Sequence, residues 1–246
     1  HSLFLNKVIK ILTENEDAFK KDDSDSFFGG FRSHVERIFS YLNYYSQVEG
    51  LPSKENDIWL SFKNVIERYR KHGYPVLTIM THLVYWGIWN KTTIKSYVNK
   101  AIFSESSSLV RDAGQALIYT ATKQGSKVNQ TIIKDIISKV SYVFDESTHT
   151  YLRIIRDVLL NKGISKEAHV KLEEWVNNLP YRIERCSVSE EIKDDIRYYA
   201  NQIAGIMTTI WPDWAGLSAW QTYMEKEHIK NDVRNGFEIG VRLANS

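Results

Sequence analysis

SSSLVRDAGQALIYTATK, residues 106–123, places Val110, Ala113, Leu117 and Ala121 on one stripe of a helix. Apolar residues at three- and four-residue spacing are typical of an amphipathic helix, and the small ones leave room for a second helix to pack closely. The same spacing recurs along almost the whole chain, whereas the strict alternation typical of strands is never sustained. The sequence therefore predicts an all-α protein.

Glycine and proline fall mainly between the periodic segments, so short turns are expected to join about twelve antiparallel helices. The predicted helices cover residues 3–12, 31–47, 55–71, 75–89, 92–103, 107–123, 129–144, 147–160, 167–178, 189–208, 212–226 and 229–244. Pro180 is expected to end the helix at 167–178, because proline cannot donate to the helical ladder. Residues 13–30, which are polar and contain Gly29-Gly30, are expected to form a connection.

The stretch at 106–123 resembles the second helix of a HEAT or armadillo-type repeat. In that helix a valine-arginine pair precedes alanines and an alanine-leucine step, and here Val110-Arg111 precede Ala113 and Ala116-Leu117. Helix pairs also return every ~35 to 45 residues, the range of two-helix repeats. The resemblance implies a right-handed α-α superhelix, a HEAT-like solenoid, and it carries over no functional residue.

Length and composition fit one folded domain over residues 1–246. The chain has 246 residues, of which 43% are hydrophobic and 25% charged, a balance that supports a packed core. An array of repeated units reaches this length without a second core. The chain begins with His1-Ser2 rather than methionine, as a trimmed fragment or accessory domain of a longer protein would.

The charge and cysteine content indicate a cytoplasmic protein that does not enter a membrane. Lys and Arg number 32 against 30 acidic residues, so the net charge is +2, without the excess typical of a dedicated nucleic-acid binder. Cys186 is the only cysteine, which excludes an intramolecular disulfide. No apolar run approaches the roughly 20 residues that a membrane span requires.

No pattern of catalytic or metal-ligating residues stands out. The seven histidines are scattered, without a His-Glu-x-x-His arrangement, and Gly29-Gly30 lacks the Lys and Ser/Thr of a phosphate-binding loop. Acidic pairs such as Glu190-Glu191 and Asp194-Asp195 lie in polar stretches typical of solvated helix faces. We therefore expect no catalytic residue, no cofactor and no metal, although a cleft enzyme without a recognisable motif stays an alternative.

Two groups of cations could bind a nucleic-acid backbone. The segment ERYRKHG concentrates Arg68, Arg70 and Lys71 at a helix end, where cations also complement the helix dipole. A second group could line one concave groove of a solenoid. That second group consists of Lys91, Lys95, Lys100, Arg111, Arg153 and Arg156.

The segment IWPDWAGLSAWQTY concentrates Trp211, Trp214, Trp220 and Tyr223 near the C-terminus. Tryptophan and tyrosine dominate the energetic centres of protein interfaces, although they also fill cores. Because the three tryptophans cannot share one narrow stripe, we predict an exposed aromatic docking surface. The leading functional expectation is a noncatalytic helical-repeat scaffold that binds a protein, and nucleic-acid binding is the first alternative; the oligomeric state stays open.

Overall fold

A computed structural model describes residues 2–14, 52–124, 130–142, 148–214 and 216–246 of the chain. Within these ranges all regular secondary structure is helical and no strand occurs, which confirms the predicted all-α class. The predicted helix at 31–47, and all of the predicted polar connection after residue 14, lie outside the described residues.

The helices agree closely with the predicted segments over most of the chain. They are α1 (Ser2–Glu14), α2 (Asp57–Lys71), α3 (Leu77–Tyr85), α4 (Lys91–Ala101), α5 (Ser107–Gln124), α6 (Gln130–Tyr142), α7 (Thr148–Leu160), α8 (Lys166–Arg185), α9 (Glu190–Ile210), α10 (Leu217–Met224), α11 (Asn231–Arg234) and α12 (Gly236–Asn245). The chain divides into two compact units, residues 1–116 and 117–246. The single domain expected from composition stays a prediction.

In the first unit, α1 packs against α2 through apolar stripes. Leu5 and Val8 of α1 are buried, as are Trp59, Phe62 and Tyr69 of α2. Phe62 lies three residues after Trp59 and Tyr69 lies seven residues after Phe62, a spacing that predicts an amphipathic helix. The chain then turns at His72 and Gly73, and α3 packs against α4.

The first turn of α3 is capped by a side chain from α5. The carboxylate of Asp112 accepts hydrogen bonds from the backbone amides of Leu77, at 2.6 Å, and Thr78, at 3.1 Å. The Thr78 hydroxyl donates to the same carboxylate at 2.7 Å. Amides in the first turn of a helix have no intrahelical acceptor, so a buried carboxylate both satisfies them and complements the helix dipole. The capped turn positions α3 against the start of α5.

In the second unit, α9 is the central helix. It packs against α7, α8, α10, α11 and α12, and its buried stripe includes Ile196, Ala200, Ile203, Ala204 and Met207. Helix α6 packs against both α7 and α8. Some helices thus pair with sequence neighbours, while α9 and α12 pair across two intervening helices. A HEAT-like superhelix stays a prediction.

Helices α9 and α12 approach each other at two glycines. A Cβ atom at Gly205 would lie 2.2 Å from the carbonyl oxygen of Phe237, and one at Gly240 would lie 2.1 Å from the carbonyl oxygen of Gln202. Both distances are far below van der Waals contact. The two backbones therefore meet directly, which requires glycine at both positions.

Helix α8 continues through Pro180, so the prediction that it ends before this proline is wrong. A proline inside a helix costs about 3 kcal/mol, because it removes one hydrogen bond and crowds the preceding turn. Continuation buries Leu179 and Ile183 completely, and full burial of an aliphatic side chain contributes about 1.5–3 kcal/mol. The gain from two such side chains offsets the cost of the proline.

The C-terminal helices are shorter than predicted. The segment expected at 212–226 is helical only over α10, and the segment expected at 229–244 is divided into α11 and α12. Asn235 ends α11 and precedes Gly236 at the start of α12.

Candidate functional site

Helix α8 has one side in the core of the second unit and one side in solvent. Leu172, Val176, Leu179 and Ile183 are completely buried on the first side. On the other side, Val170 is 58% exposed and Tyr181 is 61% exposed. With 100° per residue, the six exposed residues named next cover about 100° of the helix surface. We call the following exposed residues the α8 face: Val170, Lys171, Glu174, Asn178, Tyr181 and Arg185.

A cleft of roughly 170 Å³ runs along the α8 face, between α6 and α8. Ile137 and Trp175, both buried, contribute its apolar lining. The indole Nε1 of Trp175 donates to the carbonyl oxygen of Val140 at 3.4 Å, which holds the ring against α6. The remaining lining is polar and comes from Ser138, Lys171, Glu174, Asn178 and Arg182.

Tyr181 and Arg185 form a stacked pair at the C-terminal end of the α8 face. The guanidinium carbon of Arg185 lies 3.9 Å from the centroid of the Tyr181 ring, and Arg185 also donates to the phenolic oxygen. The two residues are one helical turn apart, so their side chains lie side by side. The pair presents a preorganised aromatic and cationic surface.

A buried arginine on α9 lies at the centre of a polar network. The side chain of Arg197 is 1% exposed. Its Nε donates to the phenolic oxygen of Tyr223 at 3.0 Å, its Nη1 to Asp194 at 2.9 Å, and its Nη2 to Glu184 at 3.4 Å. Each nitrogen of the guanidinium thus has an acceptor within the protein, as a buried charge requires. Lys230 forms a second ion pair with Asp194 at 2.6 Å.

Glu184 connects the end of α8 to this network. Its Oε1 accepts a hydrogen bond of 3.0 Å from the Tyr223 hydroxyl, in addition to the bond from Arg197. Nε2 of His228 lies 3.1 Å from the same oxygen. The last turn of α8 is therefore held by residues of α9, α10 and the segment after α10. The network stabilises the helix that carries the α8 face.

The pKa values in the network follow from burial and from the pairing of charges. Burial acts to raise the pKa of Glu184, but the hydrogen bonds from Tyr223 and His228 and the charge of Arg197 outweigh it, so the pKa is lowered. Burial raises the pKa of Tyr223 to about 12, although Arg197 acts in the opposite direction. Burial acts to lower the pKa of Arg197, but Tyr223, Asp194 and Glu184 raise it. At neutral pH the arginine and the glutamate are charged and the tyrosine is protonated.

The aromatic residues predicted as a docking surface lie mostly in the core. Trp214, Trp220 and Tyr223 are buried. The polar atoms of two of them have interior partners: Trp220 Nε1 donates to Asn201 at 2.8 Å, and the Tyr223 hydroxyl belongs to the Arg197 network. These three residues therefore form part of the core rather than an exposed cluster.

Trp211, the fourth predicted docking residue, is half-buried. Its ring stacks on that of His169 of α8, with 3.5 Å between the ring centroids and 23° between the planes. Trp211 thus connects the end of α9 with α8. A role for any of the four residues in protein binding stays a prediction.

Arg70 and Arg156, both predicted to bind a nucleic acid, are held in local ion pairs. Arg70 pairs with Glu67 at 2.6 Å and stacks on Tyr97, at 3.8 Å from the ring centroid. Arg156 pairs with Asp157 at 2.7 Å and donates to Gln202 at 2.8 Å. The other predicted cations have exposed side chains, namely Arg68, Lys71, Lys91, Lys95, Lys100 and Arg111 in the first unit and Arg153 in the second. Nucleic-acid binding by these residues stays a prediction.

Over the described ranges, no three His, Cys, Asp or Glu side chains come together in a way that could hold a metal ion. In the same part of the chain, no helix combines the length and the apolar character that crossing a membrane requires.

Local sequence hides the Arg197 network, because Asp194 lies in a polar stretch typical of a solvated helix face. A signal was nevertheless present. Arg197 lies three residues before Ala200 and seven before Ala204, on the buried stripe of α9, and Asp194 lies three residues before it. An arginine on an apolar stripe with an acid one turn away indicates a buried, paired charge.

The chain matches no known protein family, no curated protein and no solved structure.

Proposed function

We propose that the chain is a noncatalytic helical scaffold that binds another protein through the α8 face. The observation that carries the proposal is that two large side chains, Val170 and Tyr181, are exposed on the same side of α8, the helix that also lines the cleft. A groove between helices, with apolar anchors and a polar rim, is the usual receptor for a helical segment of a partner.

The composition of the α8 face supports this proposal. Tyrosine and arginine are enriched in protein interfaces, because they bury a large area with few rotatable bonds or make several hydrogen bonds. The 20 residues of α8 span about 30 Å, which is enough for one face of a standard interface. The hydrogen bond between Glu184 and Tyr223 already orders the last turn of α8 in the free protein. Binding therefore costs less conformational entropy at this turn.

A HEAT-like superhelical arrangement and a cytoplasmic location belong to the same proposal. The superhelix is supported by the resemblance of residues 106–123, now seen as most of α5, and by the short connections between paired helices. The location is supported by the single half-buried thiol, Cys186, which has no disulfide partner in the chain.

Site-specific photo-crosslinking tests the proposed function. A photoreactive phenylalanine analogue is introduced in place of Tyr181 in one sample and in place of Leu60 in another, because Leu60 is 56% exposed on α2 and matches Tyr181 in accessibility. We expect protein adducts at position 181 that are absent at position 60. Identical adducts at both positions, or none at 181, would contradict the proposal.

Each captured protein is then purified, and its affinity is measured with the full chain. We expect Tyr181→Ala and Val170→Asp to weaken binding by about tenfold or more, as truncation of a central interface residue does. Leu60→Ala is the control and is expected to leave the affinity unchanged. Equal effects of the three substitutions on affinity would contradict the assignment of the α8 face as the binding surface.

The alternative of nucleic-acid binding has support from the exposed cations Lys71 and Lys95 of the first unit. A gel-shift titration over salt concentration tests it, because binding to a phosphate backbone weakens steeply as salt rises. Salt-sensitive binding that is lost in Lys71→Gln and Lys95→Gln would favour this alternative over protein binding.

A further inference from the structure

We infer that the cleft between α6 and α8 binds a free α-amino acid, whose carboxylate pairs with Lys171 and whose ammonium group pairs with Glu174. Both residues line the cleft, and both have exposed side chains. The inference goes beyond the proposed function, because Val170 and Tyr181, which carry that function, are not among the lining residues. The two can therefore be tested separately.

Lys171 and Glu174 lie one helical turn apart on α8, where side chains are neighbours. Among the residues that the structure describes, neither charge has an ion-pair partner, and the two do not pair with each other. The order of the two residues contributes, since an acid that precedes a lysine on a helix pairs better than one that follows it. Both charges are thus available to a ligand.

The available charges of the cleft balance, which favours a zwitterion over an ion of either sign. Arg182 also lines the cleft, but it already has an interaction within the chain. Among the lining residues this leaves Lys171 as the available cation and Glu174 as the available acid. A simple anion would be repelled by Glu174 and a simple cation by Lys171, whereas a ligand with both charges complements both residues.

The rest of the lining suits the neutral parts of an amino acid. Ile137 and Trp175 are buried and form an apolar surface that the side chain of the ligand would cover. Asn178 Nδ2 donates to the carbonyl oxygen of Glu174 at 2.8 Å, which orients the amide so that its Oδ1 can accept from an ammonium group. The hydroxyl of Ser138 can donate to a carboxylate. A few polar groups around an apolar surface are the typical lining of a small-molecule site.

The size of the cleft limits the ligand to a small molecule. A cavity of about 150 Å³ holds a benzene molecule. The cleft, at roughly 170 Å³, therefore accommodates the aliphatic side chain of valine or leucine with the charged groups of the amino acid at the rim. We expect a dissociation constant of about 1 mM, because so small a ligand buries little surface.

Titration of the full chain with three related probes tests the inference. L-Leucine carries both charges below pH ~7, L-leucinamide carries only the ammonium group, and 4-methylpentanoate carries only the carboxylate. Binding is followed by NMR through the indole N–H signal of Trp175, at low salt, where exposed charges are least screened. We expect leucine to bind at least about fivefold more tightly than either analogue.

Two single variants assign the two charges. Lys171→Gln should weaken leucine and 4-methylpentanoate by about three- to tenfold and leave leucinamide unchanged. Glu174→Gln should weaken leucine and leucinamide by the same factor and leave 4-methylpentanoate unchanged. A merely structural effect of either substitution would weaken all three ligands alike, and that result would overturn the inference.

Lys166→Gln and Glu227→Gln are the matched controls, since both residues are exposed and neither lines the cleft. We expect these variants to keep all three affinities. Thermal unfolding of every variant verifies that it is folded. Losses of affinity in the controls as large as those in the cleft variants would show a general effect of charge and would contradict the assigned site.

The remaining outcomes separate the inference from the proposed function. Equal binding of the three ligands would show a cleft that recognises apolar surface alone, and tighter binding of either analogue would show a site for a simple ion; both results overturn the inference. An unchanged Trp175 signal at leucine concentrations up to about 20 mM also overturns it. Crosslinking at position 181 decides independently whether the α8 face binds a protein.

Discussion

Arg197 Nε donates a hydrogen bond of 3.0 Å to the phenolic oxygen of Tyr223 in the interior of the second unit. The tyrosine hydroxyl in turn donates a hydrogen bond to Glu184. One oxygen atom therefore connects a buried cation on α9 with a carboxylate on α8. Buried polar groups stabilise a fold only when their partners are all present. Removing the hydroxyl of Tyr223 is therefore expected to destabilise the fold.

Tyr223→Phe should lower the free energy of unfolding by about 1–3 kcal/mol, because it leaves the Nε of a buried guanidinium without its acceptor. The change is measured by urea denaturation. Tyr181→Phe is the matched control, because the ring of Tyr181 is exposed. The free energy of unfolding of this variant is expected to stay within about 0.5 kcal/mol of the wild-type value. Equal stability of Tyr223→Phe and the wild type would mean that the hydroxyl contributes nothing to the network.

Asp112→Ala should also destabilise the protein, by about 1–3 kcal/mol, because two amides in the first turn of α3 lose their acceptor. Asp112→Asn keeps an acceptor oxygen, so its free energy of unfolding should fall by less. The exposed Asp135 of α6 provides the control, since Asp135→Ala removes the same group without a cap. A loss in Asp112→Ala no larger than in Asp135→Ala would contradict the assigned cap.

Gly240→Ala should destabilise the protein by about 1–3 kcal/mol, because the new Cβ would lie 2.1 Å from a carbonyl oxygen of α9 and force the helices apart. The sign of the effect is informative. In a helix without such a neighbour, the same substitution stabilises by about 0.5–1 kcal/mol through backbone entropy. A rise in the thermal midpoint would therefore contradict the close approach of α9 and α12.

Stability should fall as the pH falls from 8 to 5, in part because of His169. Desolvation lowers the pKa of His169 below its usual 6.5, and the charge of Glu173 opposes this shift only partly. Below pH ~6.5 the unfolded chain therefore binds more protons than the folded chain, and the free energy of unfolding decreases.

The measurement is urea denaturation at several pH values. His169→Phe keeps an aromatic ring beside Trp211 and removes the titrating group, so its stability should depend less on pH over this range. Leu60→Phe, a substitution at an exposed position of α2 that carries no ionisable group, is the control and should keep the wild-type slope. An unchanged slope in His169→Phe would exclude this histidine as the source.

Helix positions could be predicted from the sequence because the buried stripes are periodic. Features that join distant segments could not be predicted in this way. Asp112 caps a turn 35 residues earlier in the chain, and no local pattern identifies that partner. Local propensity at Pro180 predicts too early an end for α8, because the burial of Leu179 and Ile183 comes only from the tertiary packing.

The candidate site, too, is only partly predictable from the sequence. The aromatic segment at 211–223 was recognised as important, but aromatic residues serve cores and interfaces equally well, and burial decides between the two. The α8 face has no compositional signal, since the sequence around Val170 and Tyr181 does not distinguish them from the buried apolar residues of the same helix. It is defined by the opposite, buried side of α8, which fixes the direction in which these residues point.

The contact at Gly205 and Gly240 also limits how this protein can vary in nature. Where side chains separate two helices, a larger residue on one side can be matched by a smaller one on the other. Here main-chain atoms are already in contact, so no exchange between the two positions can restore the fit. Orthologues should keep both glycines even where the surrounding core residues have drifted, and a chain lacking either one should have lost the pairing of α9 with α12.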